Sequence, residues 1–137
     1  ENAPFVIGKA QHMMRGDDIT IIATGHLVWE AIQAALALKE MGISADVINM
    51  HTIKPLDEAA IIESAKRTGK VVTAEEHQRN GGLGGSVAQV LAEHHPTPMK
   101  MVAVEDSFGE SGTPAQLMAK YGLTADSIKT KALELLG

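Results

Sequence analysis

Cysteine is missing altogether from the 137 residues. Its absence excludes thiolate nucleophiles, iron–sulfur clusters, cysteine-based zinc sites and disulfides, and it fits a reducing compartment. Aromatic residues make up only 3% of the chain, so the core has to be built from Ala, Ile, Leu, Val and Met. Twelve Lys and Arg face seventeen Asp and Glu, and the net charge of −5 leaves no positive field for a nucleic-acid backbone. No apolar run reaches the roughly 18 residues that would span a bilayer, and no charged start leads into an apolar segment and a small-residue cleavage site. Neither nucleic acid nor membrane is expected as a partner, and a cytoplasmic location is the expectation. Several catalytic and binding motifs are missing as well. No Gly-Lys-Ser/Thr occurs, Val87 stands where a Gly-x-Gly-x-x-Gly beginning at Gly82 would need its third glycine, and no His-x-x-x-His pair exists. Neither Ser86 nor Ser111 lies in Gly-x-Ser-x-Gly, and each stands where a cap or turn favours a hydroxyl.

What is present is a 45% hydrophobic chain, enough for one domain that buries roughly two thirds of its unfolded surface. The whole of 1–137 reads as that domain, with residues 1–6 as a linker remnant. The start Glu1-Asn2-Ala3-Pro4, without Met, leads to the expectation of a fragment or processed product.

Phe5 to Met14 alternates like an exposed edge strand and ends in the turn Arg15-Gly16-Asp17-Asp18. Ile19–Ala23 is a compact apolar run, as in a strand buried on both faces. A helix from Leu27 to Met41 follows, with Val28, Ile32, Ala35 and Leu36 as its expected apolar stripe and Gly42 as its terminator. Ala45–Met50 is a second buried strand. Pro55 and Asp57 open a helix over Glu58–Thr68, whose last turn carries Lys66 and Arg67 in agreement with the helix dipole. Val71–Ala74 is a third buried strand, a helix through Val87, Val90 and Leu91 stops near His94-His95-Pro96, and Met99–Val104 is a fourth. Thr113-Pro114 starts a helix that ends at Gly122, and Thr124 with Asp126 caps the last one. The order predicts an α/β, three-layer domain: a mostly parallel five-stranded sheet, an antiparallel N-terminal edge strand, and helices on both faces.

Functional candidates gather at strand ends. Glu75-Glu76-His77 follows the third buried strand, and Gly81, Gly82, Gly84 and Gly85 lead through Ser86 into a helix. Four glycines in five residues allow a sharp turn, positive φ and close backbone approach, while a helix start offers unpaired N–H groups. Glu75, Glu76, His77, Gly82, Gly84, Gly85 and Ser86 are therefore a candidate anion or interface site, against the plainer alternative of a turn that packs a helix. His26, His51, Glu105 and Asp106 end the other strands and should share this rim. Imidazoles and carboxylates could bind metal or move protons, but the spacing predicts neither a metal site nor catalytic residues here; a solvated or subunit-facing rim is the expectation.

Three segments carry a family resemblance: ITIIATGH, EEHQRNGGLGGSVAQVLAE, and DSFGESGTPAQLMAKYGL followed by TADSIKTKALELL. From about Gly8 to the end the chain resembles the C-terminal domain of transketolase, above all that of split bacterial and archaeal forms. Related domains occur in 1-deoxyxylulose-5-phosphate synthase and in 2-oxoacid dehydrogenase beta subunits. The Phe108-Gly109-x-Ser111-Gly112 stretch favours transketolase. The resemblance implies an enzyme dependent on thiamine diphosphate and Mg²⁺ that moves a two-carbon ketol unit from a ketose phosphate to an aldose phosphate. It also implies that cofactor and metal are held elsewhere, because the family's Gly-Asp-Gly motif is absent here. On that basis the chain is expected to be non-catalytic and to bind no cofactor itself. Its expected partners are the remaining transketolase domains or subunit, within a homodimer, where it supports assembly or regulation. The alternative is a partner- or anion-binding module in one of the two related enzymes.

Overall fold

The computed structural model describes residues 9–51, 56–78, 82–104 and 124–137. Phe5 to Gly8, Pro55, Glu105 with Asp106, and the expected helix from Thr113 to Gly122 lie outside the described residues.

Five strands form one sheet in the order β1 (Gln11–Met14), β3 (Ala45–Asn49), β2 (Ile19–Ala23), β4 (Val71–Gln78) and β5 (Met99–Val104). β1 pairs antiparallel with β3, and every other pairing is parallel. The expected α/β architecture with its antiparallel edge strand is what the chain adopts. All five β2 residues are buried, which explains their unbroken apolar run at the centre of the sheet.

Alternation along the strands sorts side chains to two faces. Ile19, Ile21, Val47, Val72, Ala74 and Val102 meet α1 (Leu27–Glu40) and the C-terminal helix α4 (Ala125–Leu136) on one side. Ile22, Ile48 and Val71 meet α2 (Glu58–Thr68) and α3 (Leu83–His94) on the other. Asp57 caps α2 by accepting the Ala60 N–H at 3.2 Å, Thr124 caps α4 through the Ser127 N–H at 3.3 Å, and Gly69 ends α2 with φ of 77°.

α1 is rotated relative to the expected stripe. Its buried residues are Leu27, Ala31, Ala34, Ala35 and Leu38, whereas Val28 and Ile32 are half-buried and Leu36 is 45% exposed. Of the expected stripe Ala35 is buried, Val28 and Ile32 pack against the core from half-buried positions and Leu36 faces water; the buried face centres on Leu27, Ala31, Ala34 and Leu38. Glu30 then ties α1 to α4, accepting the Ala125 N–H at 2.8 Å.

Candidate functional site at the carboxyl edge of the sheet

β4 is longer than the sequence suggested. It leaves β2 after the Ala23–Ala74 pair but continues to Gln78, which pairs with Val104 of β5 after an irregularity in register. Because Gln78 lies opposite a residue only two beyond Val102, the four extra residues bulge and carry the strand about 7 Å past the end of β2. Glu75, Glu76 and His77 therefore belong to a strand instead of the expected turn. The side chains of Glu76 and His77, and residues 79–81, lie outside the described residues.

Glu75 is fully buried. On the alternating pattern it shares the face of Val71 and Thr73, toward α3. One carboxylate oxygen accepts the Leu83 N–H at 2.6 Å, and the other accepts the Gly84 N–H at 2.6 Å. These are first-turn groups of α3 that have no partner inside the helix, and Gly82 at the cap position has no side chain to satisfy them. The anion at this helix start is the chain's own. A carboxylate there is stabilised both by the two charge-assisted hydrogen bonds and by the positive end of the helix dipole.

The glycines act through space and not through φ. Gly82 has φ −99° and ψ −161°, ordinary extended backbone, and Gly84 and Gly85 lie inside the first turn of α3. The expectation of positive φ at Gly82 and Gly84 is thus corrected. A Cβ on Gly84 would come 2.8 Å from the Met101 sulfur and 3.1 Å from the Thr73 hydroxyl, so its lack of a side chain lets α3 lie close on β4 and β5. Ser86 is half-buried, and its N–H donates to the Gly82 carbonyl at 3.2 Å as an ordinary helical bond.

His26, at the cap of α1, and His51, just after β3, share the carboxyl edge with Glu75, as expected from topology. Among the described residues no group of three or more His, Asp or Glu is arranged to hold a metal ion. No helix among them is long and apolar enough to cross a membrane.

The opposite, amino edge holds a buried polar network that the sequence reading missed. Asp46 of β3 is fully buried and accepts from the Gly16 N–H at 3.0 Å, the Ser64 hydroxyl at 2.6 Å and Arg67 Nη2 at 3.1 Å, with His12 Nε2 at 3.3 Å. Thr20 extends the network, its hydroxyl lying 2.6 Å from that of Ser64 and 2.7 Å from that of Thr68. Burial alone would raise the Asp46 pKa, but the hydrogen bonds from Ser64, Arg67 and Gly16 and the charge of His12 outweigh it and hold the carboxyl below its usual value. Arg67 is correspondingly held in its charged form by Glu63 and Asp46, and its Nη1 also donates to the Gly16 carbonyl. This network fastens the β1–β2 turn and α2 to β3. The available signal was an aspartate inside an otherwise apolar strand, which demands a partner.

Comparison with known proteins places this geometry. The family model for the transketolase C-terminal domain matches residues 8–128. A 6-deoxy-6-sulfo-D-fructose transketolase subunit from Clostridium sp. (strain MSTE9) is 48% identical over 135 residues, covering 98% of this chain and 42% of the relative. A 1-deoxy-D-xylulose-5-phosphate synthase from Desulforudis audaxviator is 44% identical over 124 residues, covering 89% of this chain and 20% of that enzyme. Among solved structures, one described as a split-gene transketolase, inactive beta4 tetramer, where beta denotes the subunit, superimposes with a TM-score of 0.94 at 44% identity, covering 98% of this chain and 44% of that one. The chain thus spans less than half the length of the relatives it matches.

Proposed function

The chain belongs to the transketolase C-terminal domain family, and from that premise we propose that it is the assembly domain of a transketolase that moves a two-carbon ketol unit between ketose and aldose phosphates. Thiamine diphosphate and Mg²⁺ are held, on this reading, by the portion of the enzyme outside the matched region, and this chain alone does not turn over substrate. The carrying observation is the Glu75 clamp. It occupies the start of α3, where an anionic ligand would otherwise find free N–H groups, with a carboxylate that would repel a diphosphate. That helix start does not fit the cofactor's diphosphate.

The same clamp fixes β4 where it runs past β2. Glu76 and His77, carried on that extension, are the proposed contact residues toward the remaining domains or subunit of a homodimer. Gly82, Gly84, Gly85 and Ser86 form the supporting turn and helix start behind them. Placement in a 1-deoxyxylulose-5-phosphate synthase is the second reading, favoured by the 44% identity to that enzyme. It is distinguished by which ketose-forming reaction the assembled enzyme performs.

Sedimentation of the chain with and without the remaining transketolase portion tests the assembly role. A stable complex that His77→Ala weakens is expected, and failure of the two to associate at any concentration would contradict it.

A further inference from the structure

Trp29 is the only tryptophan in the sequence, and 63% of it is exposed. Tryptophan is highly buried on average, so a water-facing one needs a reason. Its position is not a by-product of packing. Leu27, Ala31, Ala34, Ala35 and Leu38 form the buried stripe of α1, and at 100° per residue Trp29 and Leu36 fall on the opposite side of the helix, seven residues apart. Ile32, half-buried, flanks them, and Leu36 is itself 45% exposed. Trp29 and Leu36 therefore form an outward apolar ridge on α1, with Ile32 at its border packed against the domain's own core. Trp29 lies in the first turn of α1, immediately after the carboxyl end of β2, on the same edge of the sheet as the β4 extension.

We infer that Trp29, supported by Ile32 and Leu36, is the anchor by which this domain docks on an apolar pocket of the transketolase portion outside the matched region. The inference rests on the assembly reading and names the residue that carries it. Two observations select this occupant. The Clostridium relative is matched over only 42% of its length, so more than half of a comparable subunit is available to cover the ridge. One tryptophan and one leucine on a single helix face also fall well short of the roughly 800 Å² per partner that a free-standing dimer buries, which disfavours a second copy held by this ridge alone. A partner that also engages the β4 extension needs less from the ridge. Tryptophan is among the residue types enriched at interface hot spots.

The single tryptophan makes the test direct. Chain labelled with 5-fluorotryptophan gives one ¹⁹F resonance, from Trp29, which is followed while the unlabelled transketolase portion is added. The resonance should shift on assembly, and Trp29→Ala should weaken assembly by about thirtyfold, the size of a hot-spot loss, while leaving the melting temperature of the isolated chain unchanged. Assembly with an unmoved resonance overturns the anchor and leaves the assembly reading standing, whereas no assembly at all removes the reading beneath it. A resonance that shifts with the concentration of the chain alone assigns the ridge to a second copy and overturns the proposal. A large drop in the melting temperature of the isolated Trp29→Ala chain overturns it too, by showing that Trp29 packs within its own domain.

Discussion

The Glu75 carboxylate accepts the Gly84 N–H at 2.6 Å, joining the end of β4 to the first turn of α3 within the buried interior. Its other oxygen does the same for Leu83. Glu75→Gln keeps the shape but replaces one acceptor with an NH₂ group that faces an N–H. Leaving that buried donor unsatisfied should cost roughly 1–3 kcal/mol, read as a lower midpoint in urea unfolding. A midpoint equal to the parent's would mean the clamp contributes nothing.

Two glycines should respond very differently to alanine. A Cβ on Gly84 meets first the end of the flexible Met101 side chain, and alanine improves helix propensity, so Gly84→Ala should stay within about 1 kcal/mol of the parent. A Cβ on Gly16 would overlap the backbone of Ala45, which cannot move without breaking the β2–β3 edge. Gly16→Ala should therefore lose about 3 kcal/mol or more, at the upper end of overpacking costs. Thermal melts of both variants check the ranking; the reverse order would refute the account of close backbone approach at Gly16.

Asp46 gives the fold an acid-sensitive element. Its folded-state pKa lies below the unfolded value, so its contribution is fully present above about pH 3.9 and is lost as pH falls through the lower, folded value. Stability measured between pH 6 and pH 2 should fall more steeply for the parent than for Asp46→Asn, with the two curves converging in acid. Parallel curves would show that folding does not hold the Asp46 carboxyl below its unfolded-state pKa.

Removing the cation of that network should be severe. Arg67→Met leaves the buried Asp46 carboxylate without its guanidinium, and breaking a buried pair from one side typically costs about 3–5 kcal/mol. Arg67 keeps some exposure, 18% of its side chain, so the lower end of that range is expected from denaturant midpoints. A change under about 0.5 kcal/mol, typical of a surface pair, would contradict the buried-network description.

Among the described residues the element order, the antiparallel edge strand and the caps at Asp57, Gly69 and Thr124 were legible because each rests on local pattern. Three features were not. The stripe of α1 was shifted toward Leu36 because Ala31 and Ala34, which are buried, carry little hydrophobic signal. The role of Glu75 spans nine residues and depends on where α3 starts, and an acid beside glycines suggested a site for a foreign anion. The Asp46 network joins four chain segments, and no periodicity reports such a convergence. Polar residues inside apolar runs were the visible clue in both polar cases.

Ketol transfer is the measurement that bears most directly on the central claim, that this chain organises a transketolase without carrying its chemistry. The purified chain, given thiamine diphosphate, Mg²⁺, a ketose phosphate donor and an aldose phosphate acceptor, should show no turnover above a blank without protein. Adding the transketolase portion outside the matched region should produce turnover that depends on the concentration of the chain. Turnover by the chain alone, or an equal rate from the other portion without it, would contradict the account.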